Sequence, residues 1–202
     1  IKNSVVHLGC DFKLQNNQSI QTKYAKLLEK KYILFVGTIE PRKKHQELLE
    51  VYEKLHYEFK DINLIFIGKF GWNVDKIKFN IENHKELNKS FFHFQDVNDN
   101  TLSQFYKNAY LVCYLSNYEG FGLPIAESIF YNNITITSKN SSLEEISNKV
   151  IFETSKEELY ELLKNFITDE SNYIKAKEYM QYTQELSTWN HFYTNFKKEL
   201  KF

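Results

Sequence analysis

Two glutamates eight positions apart, Glu119 and Glu127, enclose the segment EGFGLPIAE. The chain has only six glycines and two prolines, and this segment holds two of the glycines and one of the prolines. Glycine is required where backbone adopts a positive φ or comes close to a ligand. Gly120 and Gly122 stand before a helix that Pro124 is expected to open. They leave backbone N–H groups unshielded, which makes a nest for the oxygens of a phosphate or a sugar. About one turn into that helix, the Glu127 carboxylate can accept from two neighbouring hydroxyls, as a ribose diol presents them. Glu119 precedes the loop and can reach the same cleft. A generic glutamate pair would be one helix-dipole complement and one solvated loop residue. The Gly-Phe-Gly-Leu-Pro insert argues against that account.

A second segment, GTIEPRKKH (37–45), holds Arg42, Lys43 and Lys44. Of the 26 basic residues, Arg42 is the single arginine, and Pro41 is the only proline besides Pro124. The loop follows a strand-like run and opens a helix. Cations beside a helix N-terminus suit an anion. Arginine forks onto phosphate oxygens, whereas lysine acts as a point charge. Three basic residues alone would read as a solvated turn. The lone arginine points the other way.

Other chemistries are excluded or weak. Lys+Arg and Asp+Glu both total 26, so the formal net charge is zero and a nucleic-acid binder relying on bulk charge is not expected. There is no Walker A motif, and Gly120-Phe-Gly122 lacks the third glycine of a dinucleotide fingerprint. No DxD occurs. DVND (96–99) reads as a helix cap at Asn98 or Asp99 rather than a cation site, and the six histidines lack HxxxH spacing. Cys10 and Cys113 form no CxxC, no apolar run approaches membrane-spanning length, and no signal-peptide pattern is present. A reducing, cytoplasmic setting is expected. The chain starts at Ile1 and reads as a piece of something longer.

These loops must be held by a scaffold, and the hydrophobic pattern supplies one. Strand-like runs at 32–38, 62–69, 91–97, 110–116, 134–138 and 150–154 alternate with helical patterns at 45–59, 74–87, from 101, 124–133 and 142–147. Ser155 and Glu158 have capping-box spacing and open a long helical region, and 189–202 is a final amphipathic helix. The rhythm predicts a single α/β domain over 1–202: a Rossmann-like parallel sheet of about six strands with helices on both faces. Gly37, Gly68 and Ser116 each end a strand, so the unusual residues share the carboxyl edge where such sheets bind ligands.

In this order, the motifs resemble the C-terminal, donor-binding half of a GT-B glycosyltransferase of the family 4, or glycosyl transferases group 1, type. VVHLGCDF resembles the entry to that domain and FVGTIEPRKKH its phosphate loop. IFIGKFGW resembles its second strand and loop. The run from FQDVNDN through EGFGLPIAES resembles its core signature with the E-x7-E pair, and TSKNSSLEEI and Trp189 also have counterparts. The resemblance implies a nucleotide-activated sugar donor, GDP- or UDP-linked, no metal or other cofactor, and retention of anomeric configuration. It implies Glu127 on the ribose and Glu119 on the transferred sugar, helped by the amides of Gly120, Phe121 and Gly122, with Leu123 completing the loop. It implies Arg42 and Lys43 on the diphosphate, beside Gly37 and Thr38, and the base near Lys69 and Val97. Glu119, Arg42 and Lys43 are thus the catalytic candidates.

The sequence departs from the family at Thr38, where an arginine often stands, and at YNNITIT, where a Gly-Pro pair often follows the helix. The acceptor-binding N-terminal domain of the fold is expected to lie outside this chain, so the isolated 202 residues are expected to be inactive. The TIEPRKK loop resembles mannosyltransferase-like members and favours GDP. The implied partners are the donor, the missing domain and a glycan or lipid-linked acceptor, with a place at the inner face of the cytoplasmic membrane open to the parent protein. A non-catalytic nucleotide-sugar-binding module and a GT-B sugar epimerase fragment are the alternatives.

Overall fold

The structure is a computed structural model and describes residues 6, 8, 9, 11, 22–139, 142–146, 150–153, 155–181 and 188–200. Half of the expected entry segment VVHLGCDF, including Cys10, lies outside these residues. The chain runs α1 (Thr22–Leu28), β1 (Tyr32–Val36), α2 (His45–Glu58), β2 (Asn63–Ile67), α3 (Asp75–Glu82), β3 (Phe91–Phe94) and α4 (Asp99–Asn108). It continues β4 (Leu111–Tyr114), α5 (Leu123–Phe130), β5 (Thr135–Ser138), α6 (Leu143–Ile146) and β6 (Ile151–Glu153). Three helices follow: α7 (Lys156–Thr168), α8 (Glu170–Gln181) and α9 (Trp189–Leu200). None of the described helices is long and apolar enough to cross a membrane.

The six strands pair in parallel in the order β3-β2-β1-β4-β5-β6. The strands are buried on both faces because their side chains alternate between two cores. Ile33 and Phe35 of β1 and Leu64 and Phe66 of β2 join one cluster with Leu48, Val51 and Leu55 of α2 and Leu159 and Leu163 of α7. Tyr32, Leu34, Ile65 and Ile67 point the other way, to Tyr24 of α1 and Phe105 and Tyr106 of α4. This period of two makes the strands continuous apolar runs rather than alternating ones. Each side chain so buried contributes about 1.5–3 kcal/mol. Tyr32 crosses its core with a hydroxyl that donates to the Phe105 carbonyl at 2.7 Å, tying the central strand to α4.

Several element boundaries differ from those read off the sequence. The helix expected over 74–87 ends at Glu82, and the chain then turns through Asn88, at φ +62°, into β3. Leu123, not Pro124, is the first residue of α5, and Gly122 caps it. Of the two candidate caps of α4, Asn98 is the one, accepting from the Thr101 N–H at 2.8 Å. The long helical region after Ser155 is two helices. Asp169 ends α7 in extended backbone, and its carboxylate accepts from the Asn172 N–H at 3.0 Å, so one residue stops a helix and caps the next. At the far end, Gly9 lies against Thr188 and Trp189, and Asp11 accepts from the Trp189 N–H at 2.5 Å where α9 begins.

Candidate functional site

The order of the sheet decides which loops meet. The chain winds outward from β1 through β2 to β3, then returns to place β4 on the other side of β1. The loops after β1 and β4 therefore leave the carboxyl edge side by side, at the switch point where open α/β sheets bind ligands. These loops are the two segments singled out above. They are joined by backbone: Lys44 N–H donates to the Leu115 carbonyl at 3.2 Å, and Asn117 N–H donates to the Arg42 carbonyl at 2.8 Å.

The loop after β1 starts at Gly37, at φ +151°. A Cβ there would fall 2.9 Å from Lys43 Nζ, and a Cβ on neighbouring Gly68 would fall 2.0 Å from the Gly37 carbonyl oxygen. Glycine is thus required at Gly68 by close approach to backbone and at Gly37 by its positive φ, since the lysine tip could move aside. Lys43 folds back beneath the loop, 9% exposed, with its ammonium over the Tyr114 ring at 5.4 Å. Among the described residues no carboxylate lies within ion-pair distance of it. Burial pushes the Lys43 ammonium below the ordinary lysine value, since leaving water disfavours its charge.

The other two cations of this loop are both held by carboxylates. Lys44 is taken up by Glu153 at the end of β6, with Nζ to Oε1 at 3.2 Å. Arg42 lies against Glu40 and Glu119, and hydrogen bonding to Glu119 holds its guanidinium above the ordinary arginine value. Thr38, half-buried, follows Gly37, and its methyl abuts Gly71 of the loop after β2.

In the loop after β4, Glu119 is 8% exposed and accepts from the Tyr114 hydroxyl at 3.0 Å, so it is not a solvated loop residue. Its backbone carbonyl accepts from the Ser142 hydroxyl at 2.9 Å. Gly122 lies at φ +90° and caps α5 with no side-chain bond. Gly120 is exposed, and a Cβ there would meet no atom within 4 Å. Phe121 and Leu123 are half-buried beside it.

Glu127, one turn into α5, accepts from the Tyr106 hydroxyl at 2.9 Å through Oε2. Burial raises the Glu127 carboxyl above the ordinary value, and the Tyr106 bond opposes that rise. Lys69 follows Gly68, pairs with Asp96 at 3.2 Å, and is 70% exposed. Its backbone carbonyl accepts from the Ile39 N–H at 2.9 Å. Val97, past the end of β3, packs against the core under α1 and α4.

The structure thus gathers Gly37, Arg42, Lys43 and Glu119 by direct contact. It sets Gly120, Phe121, Gly122, Leu123 and Glu127 on the same loop and helix. Lys69 and Val97 stand one and two strands away along the same edge. Sequence reasoning missed Tyr106 and Tyr114, the phenols that hold the two glutamates. Tyr114 lies in an apolar run and Tyr106 beside Phe105 on a helix, where an aromatic reads as core, although a buried phenol needs a polar partner. It also missed the staple beneath the site. Glu153, 2% exposed, accepts from the Ser138 hydroxyl at 2.6 Å, and Ser138 Oγ accepts from the Ser116 N–H at 3.2 Å. With Lys44, this chain of bonds ties the ends of β4, β5 and β6 to the start of α2.

Residues 16–185 match the model of the family described as glycosyl transferases group 1. The chain belongs to that family. Among curated group 1 relatives, the serotype-specific mannosyltransferase WbdA of Escherichia coli is 42% identical over 95 residues. That match covers 47% of this chain and 12% of WbdA. The O-antigen chain mannosyltransferase B of Escherichia coli is 34% identical over 117 residues, 57% of this chain and 30% of the relative. Among solved structures, Anabaena HepE in complex with UDP and glucose superimposes with a TM-score of 0.72 at 15% identity, over 98% of this chain and 56% of that one. WaaG, a glycosyltransferase involved in lipopolysaccharide biosynthesis, gives 0.71 at 18% identity, over 96% and 55%. The C-terminal domain of LpcC from Francisella tularensis gives 0.66 at 17% identity and is covered over 96% of its length. At these identities the structures establish a shared fold, and this group 1 chain spans a little over half of HepE and WaaG.

Proposed function

We propose that this chain is the donor-binding part of a retaining hexosyltransferase, mannosyltransferase-like, that uses a nucleoside diphosphate sugar. The observation that carries the reading is Lys43: a buried ammonium with no carboxylate at ion-pair distance among the described residues, under a glycine loop, beside the N-terminus of α2. A buried charge is costly unless paired, so this one fits an incoming anion. The diphosphate is that anion, with Gly37 and Thr38 beside it. The amides of Gly120, Phe121, Gly122 and Leu123 line the other side of the cleft.

The chemistry follows from the charge that develops. As the glycosidic bond breaks, the departing nucleoside diphosphate gains negative charge. A fixed ammonium and helix N–H groups aimed there stabilise the transition state as an oxyanion hole does. Each charge-assisted bond contributes about 1.5–3 kcal/mol net. In this reading Glu127 accepts the ribose hydroxyls and Glu119 those of the hexose, the base rests by Lys69 and Val97, and no step uses a metal. The mannosyltransferase relatives support mannose as the hexose, and the TIEPRKK loop favours GDP as its carrier. Transfer itself belongs to the longer protein, at the cytoplasmic side of a membrane in glycan assembly, with the acceptor held by a second domain. The 202 residues alone bind donor without turning it over.

Calorimetric titration of the chain with GDP, UDP and ADP tests the reading. One nucleotide binding in the micromolar range, weakened at least tenfold by Lys43→Ala, is expected. Binding of none, or binding indifferent to Lys43, refutes it.

A further inference from the structure

The single arginine is bonded almost entirely to the neighbouring loop. Its Nε–H donates to Glu40 Oε2 at 2.9 Å. Its Nη1 donates to the Tyr118 carbonyl at 2.7 Å and lies 2.5 Å from Glu119 Oε1. Its own carbonyl accepts from the Asn117 N–H at 2.8 Å and the Ser116 hydroxyl at 3.4 Å. Four of these five contacts reach residues 116–119. Arg42 and Tyr114 both grip Oε1 of Glu119, one by charge and one by a phenol, so two donors on different elements fix the carboxylate's direction.

Lys43, the next residue, is the opposite case. Its ammonium is more deeply buried than the guanidinium and, among the described residues, has no carboxylate at ion-pair distance, although it feels the charges of Glu119 and Glu40 from further off. Turning Nε and Nη1 of Arg42 to a diphosphate would give up their bonds to Glu40, the Tyr118 carbonyl and Glu119, a carboxylate of which 8% is exposed. Glu119 is the buried member of the pair and Arg42 the half-exposed one, so the cost of parting them falls on the carboxylate. Keeping the pair and binding phosphate through Lys43 carries no such cost.

We infer that the two cations divide the work. Arg42 is a positioning residue that orients the Glu119 carboxylate toward the hexose, and Lys43 is the loop's contact to the diphosphate. The assignment rests on the nucleotide-sugar reading and changes one residue in it, because Arg42 then serves recognition of the sugar rather than the phosphate. Lysine cannot replace Arg42, since a point charge cannot hold Glu40, the Tyr118 carbonyl and Glu119 together.

The test separates the two halves of the donor. Wild type, Arg42→Ala and Lys43→Ala are titrated with GDP and GDP-mannose, and with UDP and UDP-glucose as a second pair. Arg42→Ala is expected to leave the Kd for the free diphosphate within about threefold of wild type. It is expected to weaken the sugar nucleotide by at least about tenfold more, the factor that 1.4 kcal/mol represents. Lys43→Ala weakens both alike. Equal losses for GDP and GDP-mannose in Arg42→Ala, or a loss for GDP as large as in Lys43→Ala, overturn the assignment. Arg42→Gln gives the same comparison if the alanine variant does not fold. Wild type binding none of the four overturns the nucleotide-sugar reading instead. The ion pair is then judged by melting: Arg42→Ala and Glu119→Gln combine less than additively if Arg42 holds Glu119, and additive losses reject it.

Discussion

Glu127→Gln is the sharpest probe of the site because binding and stability should move independently. The carboxylate has one oxygen on the Tyr106 hydroxyl, which leaves Oε1 to meet the ribose. A charge-assisted bond contributes about 1.5–3 kcal/mol and a neutral one about 0.5–1.5. Two hydroxyl contacts converted from the first kind to the second lose about 2 kcal/mol, or about 30-fold in Kd. The fold should not suffer, since glutamine can still accept from Tyr106.

The sign of the stability effect follows from burial. The folded carboxyl titrates above its ordinary value, so the folded chain holds its proton more tightly than the unfolded one. Glu127 therefore subtracts stability as pH rises from the ordinary carboxyl range through its folded value. The variant is free of that loss and should melt no lower than wild type at pH 7. Wild-type affinity, in turn, should begin to fall with acid at a higher pH than an ordinary glutamate would give. Calorimetry with GDP and 2′-deoxy-GDP measures the contact directly: removing the 2′-hydroxyl should cost wild type, which loses a charge-assisted bond, more than Glu127→Gln, which loses a neutral one. A folded variant that binds GDP within threefold of wild type, or that discriminates against the deoxy nucleotide as strongly as wild type does, would refute the ribose assignment.

Two further outcomes test the loops and the staple beneath them. Gly122→Ala forces a Cβ onto a residue at φ +90° and should cost about 1–2 kcal/mol of stability, whereas Gly120→Ala meets open space and should leave the melting temperature unchanged while weakening sugar-nucleotide binding. Thermal melts beside calorimetry separate the two, and a Gly120→Ala chain that binds like wild type would remove that glycine from the site. Glu153→Ala strips the carboxylate from Lys44 and Ser138 and should destabilise by about 3 kcal/mol in urea unfolding, with Glu153→Gln losing less. Equal losses in the two variants would show that charge does not matter there.

Much of the fold could be read from local pattern. Runs such as ILFV and LIFI are apolar without alternation, which only a strand covered on both faces tolerates, and Gly37 and Gly68 mark where two of them end. The family also lay open in the sequence, because its motifs are short stretches whose order survives without coordinates. Helix ends were less legible. Asn83 and Asp169 break helices whose apolar spacing, read alone, runs on through them.

The sequence by itself determined the chemical inventory: a glycine loop with three cations, and two carboxylates one helical turn and a short loop apart. It could not say which cation answers which carboxylate, because those pairings cross from one strand end to another. Arg42 meets Glu119, 77 positions on, and Lys44 meets Glu153, 109 positions on, only because β4 lies beside β1 and β6 closes the edge. Burial is likewise a property of the packed sheet. It covers Lys43, raises the Glu127 carboxyl, and turns two core tyrosines into the groups that hold the glutamates in place.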